Sequence, residues 1–385
     1  MKKKLALLLA CTMALGLTAC GGSKPAAAPE TTAAATEAAA ESSEESKADE
    51  KTEAAGGDMD ALIEAAKAEG ELTVYGSCEE EYLSAACQNF EKLYGIKTKY
   101  QRLSTSEVYT KVSEEAGKPS ADVWFGGTMD PYNEAVAAGL LEPYDAINAV
   151  NLIGDEYKDP TNCWYGIYKG ILGFMVNTEE LERLGLEAPK TWDDLTKEEY
   201  KGLIMMSNPN TAGTAKLIIN TMIQMKGHDE AMEYFKALDK NIAQYTKSGS
   251  AAPNGVALGE AAIALTFSHD GLQPTTEGYP IELSFPTDGT GYEVGAMALI
   301  KGGPADEQEN AKKFIDFMCS AEGQNLYAEN NSFRVPTNSQ ATPAEGLVTL
   351  DSVAVIDYDA VWAAEHKDEF VAQFEANIAS SENLE

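Results

Sequence analysis

The chain has 385 residues, 44% of them apolar, with 62 acidic side chains against 29 basic ones and a formal net charge of -33. That length is large for a single core and favours two lobes. So acidic a surface excludes nucleic acid and anionic lipid headgroups as partners, and any anion it binds must be held by local dipoles and hydrogen bonds.

The order of segments begins with an export pattern. Lys2, Lys3 and Lys4 precede an apolar run over residues 5–17, too short and wrongly flanked for a spanning helix. Leu17-Thr18-Ala19-Cys20 follows and resembles a bacterial lipobox, so residues 1–20 are expected to be a lipoprotein signal peptide with Cys20 lipidated. The alternative is an incidental cysteine after an ordinary cleavage site. A lipid on Cys20 would tether the protein to the cell membrane on its extracytoplasmic face. Residues 21–57 are mostly Ala, Glu, Ser and Thr without an aromatic. Such a composition cannot bury enough surface to offset its ordering entropy, and a disordered acidic, Ala-rich tether is expected.

Beyond the tether, an amphipathic helix is expected over 59–68, with Met59, Leu62, Ile63 and Ala66 on one face. Three strand–turn–helix units follow. Residues 72–75 read as a strand, ending in Gly76-Ser77-Cys78-Glu79 before a helix that carries Tyr82, Leu83, Ala86, Phe90 and Leu93. Residues 95–103 read as a second strand, and Ser104 or Thr105 with an acid three residues on has the pattern of a capping box. Residues 121–125 read as a third, with Gly126-Gly127-Thr128 as its turn and a helix at 131–138. That succession specifies an α/β lobe with a parallel or mixed sheet.

Residues 165–176 form a long strand-like run able to cross between lobes, and Asn177-Thr178 caps a helix at 179–184. Residues 190–195 turn into another helix, 203–207 form a strand, and Asn208 to Thr214 lead into a helix at 215–225, followed by one at 229–238. The apolar run 261–267 reads as a buried strand that stops at Ser268-His269-Asp270. A loop, a strand-like run at 279–285, a Gly-Thr-Gly turn, Glu293 and the apolar run 296–300 come next. Helices are expected at 306–319, 321–329 and 361–378, with 333–337 extended between the last two. There is no internal repeat.

Strands that end in polar side chains deliver them to a crevice. His269, Asp270 and Glu293 are expected there: carboxylates accept hydroxyl protons and His donates or accepts, chemistry suited to a polyol. A helix cap for Asp270 and a hinge hydrogen bond for Glu293 are the structural alternatives. Ser77, Cys78, Ser104, Thr105, Thr128, Thr211, Gly213 and Thr214 stand just before expected helices, with Gly127 beside Thr128. Free N–H groups and the positive dipole end make such positions receptive to phosphate, although every α/β protein needs caps. Arg102 suits bidentate anion binding or a surface role. Trp124, Trp164 and Trp192 suit sugar stacking or core packing.

No GxSxG, HExxH or P-loop occurs, and neighbouring His269 and Asp270 make no triad, so no enzyme is expected. A glycosidase using Asp270 and Glu293 is the alternative from another class. Cys78, Cys87, Cys163 and Cys319 form no CxxC, and no His has zinc spacing. Export permits disulfides; a Cys78–Cys87 pair and buried free thiols both stay open. Neither a cofactor nor a resident metal is expected.

The lipobox, the tether, "LTVYGSCEEEYLSAACQNFEKLYGIKTKY", "ADVWFGGTMDPYNEAVAAGLLEPY", "PKTWDDL" and "FIDFMCSAEGQNLY" together resemble the solute-binding lipoproteins of ABC importers, in the ferric-ion-binding-like branch. The resemblance implies a two-lobed periplasmic-binding-protein-like α/β fold, with ligand held between lobes joined by crossing strands and then handed to the ABC permease of the importer. The lobes are expected as 58–168 with about 296–340, and 169–295 with about 341–385, in a monomer. Iron carriers of the branch use two adjacent tyrosines; this sequence has no Tyr-Tyr pair. "SHD" and "GTGYE" instead resemble the hexose-phosphate-binding subgroup, which implies that His269, Asp270 and Glu293 meet sugar hydroxyls while Ser, Thr and backbone amides hold the phosphate. A phosphorylated metabolite is therefore the expected cargo. Ferric iron and a phosphonate are the alternatives within the same fold.

Overall fold

The computed structural model describes residues 61, 64, 70–304 and 308–378. The signal peptide, Cys20, the tether and nearly all of the helix expected at 59–68 lie outside the described residues.

The first lobe is built as its sequence pattern dictates. β1 (Glu71–Gly76) pairs in parallel with β2 (Lys97–Arg102) and with β3 (Val123–Thr128). The helix Glu80–Tyr94 between β1 and β2 buries Tyr82, Leu83, Ala86, Cys87 and Phe90 along one stripe and stops at Gly95, whose φ of 71° only glycine adopts without strain. The next helix, Thr105–Glu114, starts with a complete capping box between Ser104 and Glu107. β3 runs further than expected: Gly126, Gly127 and Thr128 continue the strand rather than turn away from it.

β5 (Trp164–Asn177) and β10 (Tyr292–Ile300) are the crossing strands, antiparallel from Tyr292 opposite Ile171 to Ala298 opposite Trp164. β10 also pairs with β3 and with the short β4 (Leu141–Glu142), and the first half of β5 pairs with β11 (Val335–Pro336). The second half of β5 changes partners, to β8 (Ile263–Phe267) and β9 (Ile281–Ser284). β8 passes the sheet to β6 (Ile204–Ser207) and then β7 (Ile242–Thr246), giving the order β2-β1-β3-β10-β5-β8-β6-β7. A strand of 14 residues buried on both faces has to be largely apolar, and it is apart from half-buried Lys169 and the terminal Asn177.

The second lobe's helices pack on this second half. Gly213–Lys226 and His228–Asp239 cover Phe174, Trp192 and Ile204. The two lobes touch: Lys216 donates to Ser106 Oγ at 2.9 Å, and Lys247 pairs with Glu107 at 3.1 Å. The C-terminal helix Ala360–Asn377 packs against helices of both lobes.

Several expectations are corrected. The segment after β8 is a helix, Ser268–Thr276, with Pro274 inside it, where a loop was expected. β7 occupies a stretch to which no element was assigned, and residues 193–200 form two 3-10 turns in place of a helix. Glu293 lies within β10, not ahead of it. Cys78, Cys87, Cys163 and Cys319 are free and buried, so no Cys78–Cys87 disulfide forms.

Candidate functional site

The ends of β1, β2 and β3 open towards the starts of the helices Gly213–Lys226 and Ser268–Thr276, and a cleft lies between them. It encloses about 480 Å³ of empty space, part of it open to solvent. Ser77, Cys78, Ser104, Thr105, Gly127, Thr128, Gly213, Thr214, His269, Asp270 and Glu293 all line it. Thr211 does not. Its hydroxyl is spent on the carbonyl of Lys247, at 2.6 Å.

One end of the cleft is made of hydroxyls and amides. A Cβ on Gly213 would come 2.8 Å from Thr128 Oγ1 and 3.3 Å from Thr105 Oγ1, so only glycine lets this helix start meet the first lobe. The N–H groups of such a first turn have no partner within the helix, and the dipole adds positive potential there. Not every hydroxyl here is available. Ser104 Oγ accepts from the Glu107 amide, and Ser77 Oγ donates to the Gly126 carbonyl at 2.8 Å while accepting from Trp124 Nε1. For those two the capping and bracing reading holds. Arg102 also lines the cleft, its Nε donating to the Cys78 carbonyl at 3.1 Å.

The other end is a cluster of ionisable groups. His269 and Asp270 stand in the first turn of Ser268–Thr276, delivered by β8. His269 Nε2 lies 3.5 Å from Glu293 Oε1 and 3.6 Å from Asp270 Oδ1. The imidazole stacks on Phe267 and meets Tyr168 edge-on. Beside them sits Arg334, which is 3% exposed. Its guanidinium is ion-paired to Glu79 and packed over the rings of Tyr168 and Tyr82, at 4.6 and 4.8 Å.

Burial sets the charge state of this cluster. Desolvation lowers His269 to about 3, helped by Arg334, so the imidazole is neutral. Desolvation lifts Glu293 to about 8 against the pull of Arg334. It also holds Asp270 well above the carboxylate range, reinforced by the charge of Glu79. For Glu79 burial pushes upward, but Arg334 overrides it and keeps the group ionised. At neutral pH one ion pair, two mostly protonated carboxyls and a neutral imidazole sum to nearly zero charge. The acidic protein thus presents a nearly neutral cluster at this end of the cleft, rich in donors and acceptors, and Arg102 adds one positive charge to the wall.

Glu79, Arg334, Tyr168 and the loop Ser248-Gly249-Ser250 also line the cleft and were not assigned to it from sequence. Glu79 follows directly on Ser77-Cys78, which was a usable signal. Arg334 offered only its rarity. Glu79, His269 and Asp270 have potential metal-ligating atoms within 4.8 Å of one another, but the Arg334 cation is already paired to Glu79 and opposes a metal there. Trp124, Trp164 and Trp192 are buried in the core and take the packing role. Tyr245 is also buried, bonded to Asp239, and reaches no part of the cleft.

Two α/β lobes on crossing strands with a polar cleft between them define a two-lobed fold of the periplasmic-binding-protein class. Residues 119–361 match the family model described as "Bacterial extracellular solute-binding protein", and the chain belongs to that family. An uncharacterized protein of Haemophilus influenzae is 39% identical over 305 residues, covering 78% of this chain and 87% of the relative. The structure of the periplasmic binding protein AfuA from Actinobacillus pleuropneumoniae, with exogenous fructose-6-phosphate bound, is 36% identical with a TM-score of 0.77, covering 80% of this chain and 98% of that one. The Fe(3+)-binding periplasmic protein of Serratia marcescens is 24% identical, over 77% of this chain and 88% of the relative. The chain is a solute-binding protein and not an enzyme, which removes the glycosidase alternative. No helix among the described residues is long and apolar enough to cross a membrane.

Proposed function

We propose that the protein captures a hexose phosphate, or a sugar phosphate of similar size, in this cleft and presents the closed complex to the permease of an ABC importer. The single observation that carries the reading is the division of the cleft into two chemistries. Thr105, Thr128, Thr214 and the amides at Gly213 offer neutral donors from both lobes, fit for a phosphate. His269, Asp270, Glu293 and Glu79 offer the mixed donors and acceptors that sugar hydroxyls require. The fructose-6-phosphate named for AfuA supports the same class of cargo. In this reading the protein acts as a monomer held to the extracytoplasmic face of the membrane through a lipid on Cys20.

Calorimetry of the purified chain with fructose 6-phosphate, glucose 6-phosphate, free fructose, inorganic phosphate, 2-aminoethylphosphonate and ferric citrate tests the reading. Tight binding of a sugar phosphate, with far weaker binding of free fructose and inorganic phosphate, is expected. Ferric citrate or the phosphonate binding more tightly than both sugar phosphates would overturn it.

A further inference from the structure

Residues 354–378 contribute nothing to the cleft wall, yet they join the elements that form it. The Ala354 carbonyl accepts the Thr290 N–H and the Thr290 carbonyl accepts the Ile356 N–H, both at 2.9 Å. Thr290 immediately precedes the Gly291 that leads into β10, and its hydroxyl donates to the Leu172 carbonyl on β5. The arm is therefore fixed to both crossing strands where they change lobes. Two residues further on, the buried Tyr358 donates its hydroxyl to Asp130 Oδ2 at 3.2 Å. Asp130 begins the helix Asp130–Ala137, directly after Thr128 on the first lobe. The arm thus reaches the first lobe through the hydroxyl of one tyrosine.

The remainder of the arm directs its hydrogen bonds to the second lobe, while its helix packs on both lobes. Gln224 and Asp359 exchange hydrogen bonds at 2.9 and 3.1 Å, His228 meets Gln373 at 2.6 Å, and Phe374 packs on Phe235 and Tyr245. When the lobes part, an arm so hydrogen-bonded stays with the second lobe, so its packing on the helix Asp130–Ala137 slides and its bond to Asp130 breaks. We propose that Tyr358 is a positioning residue for ligand binding, a latch made only when the lobes are closed. Such a contact raises the population of the binding-competent state and therefore the affinity, without touching the ligand. A brace present equally in the open and closed forms would change the melting temperature and leave Kd alone.

Tyr358→Phe removes one oxygen and keeps the ring. With fructose 6-phosphate as the probe, the variant is expected to raise Kd about three- to tenfold, mainly through faster dissociation. In the ligand-free chain, dyes on Glu114→Cys and Lys236→Cys should report a larger separation between the lobes in the variant than in the parent. The choice of probe rests on the proposed function; the dye pair does not. If the parent fails to bind either sugar phosphate, that function falls and the dye separation alone decides the latch. An unchanged separation, or an unchanged Kd with a lowered melting temperature, makes Tyr358 a plain structural brace and overturns the inference.

Discussion

Gly170 on β5 stands opposite Glu293 on β10, and a Cβ there would come 2.6 Å from the His269 ring and 3.1 Å from Glu293 Oε1. Its lack of a side chain is what lets the imidazole and the carboxyl approach each other. Gly170→Ala is expected to displace His269, costing about 1–3 kcal/mol of stability by overpacking and most of the ligand affinity. A melting curve and a titration with fructose 6-phosphate check both, and unaltered binding would mean that His269 has no part in it. The same cluster fixes a pH profile. His269 falls from its ordinary 6.5 to about 3, so the unfolded chain binds the extra proton in that window and stability is lost as pH falls through it. Glu293 rises from 4.5 to about 8, so the folded chain holds the extra proton and stability is lost as pH rises through that window. The two slopes oppose one another between about 4.5 and 6.5 and nearly cancel, so the raised Asp270 sets the cluster's slope there, a decline as pH rises, and each group contributes at most about 1.4 kcal/mol per pH unit. Glu293→Gln should abolish the part of the alkaline decline between pH 6.5 and 8 that Glu293 causes; a decline as steep as in the parent would assign it to another group. His269, Asp270 and Glu293 were legible because polar residues end or interrupt apolar runs. The Glu79–Arg334 pair was not, since its members lie 255 positions apart and only the folded chain joins them.

At the scale of elements, local chemistry and tertiary packing divide the outcome. Helix starts with side-chain caps were readable: Ser104 with Glu107, and Asn177 accepting from the Glu180 amide. Because Ser104 is committed to its cap, Ser104→Ala is expected to cost about 1 kcal/mol of stability and to leave ligand affinity within about twofold. Denaturant titration and calorimetry separate the two effects, and a large loss of affinity at unchanged stability would return Ser104 to the ligand. The crossing strand β5 was readable from a long apolar run that only Lys169 interrupts. β7 was not, because exposed Ala243 and half-buried Gln244 interrupt its pattern. The helix Ser268–Thr276 was hidden by Pro274 and Gly271, both poor helix formers. It forms because β8 aims it, and a Cβ on Gly271 would come 2.4 Å from Leu283 of β9. Packing against β9 overrides propensity there, and that same helix carries His269 and Asp270.

For the whole molecule, composition foretold two lobes and a difficulty: a chain of net charge -33 has to admit an anion. The cleft resolves the difficulty at short range, with Arg334 balancing Glu79, burial keeping protons on Asp270 and Glu293, and Arg102 adding a positive charge to the wall. It does nothing at long range, where an approaching phosphate meets the field of the whole acidic surface. Salt shortens that field to a Debye length of about 10 Å at 0.1 M, while the closed cleft is screened much less. The association rate of fructose 6-phosphate should therefore rise several-fold between about 0.01 and 0.5 M sodium chloride, with dissociation nearly constant. Stopped-flow measurement gives both rates. An association rate that falls with salt would mean that a positive patch steers the ligand in, and the account of capture without long-range attraction would fail.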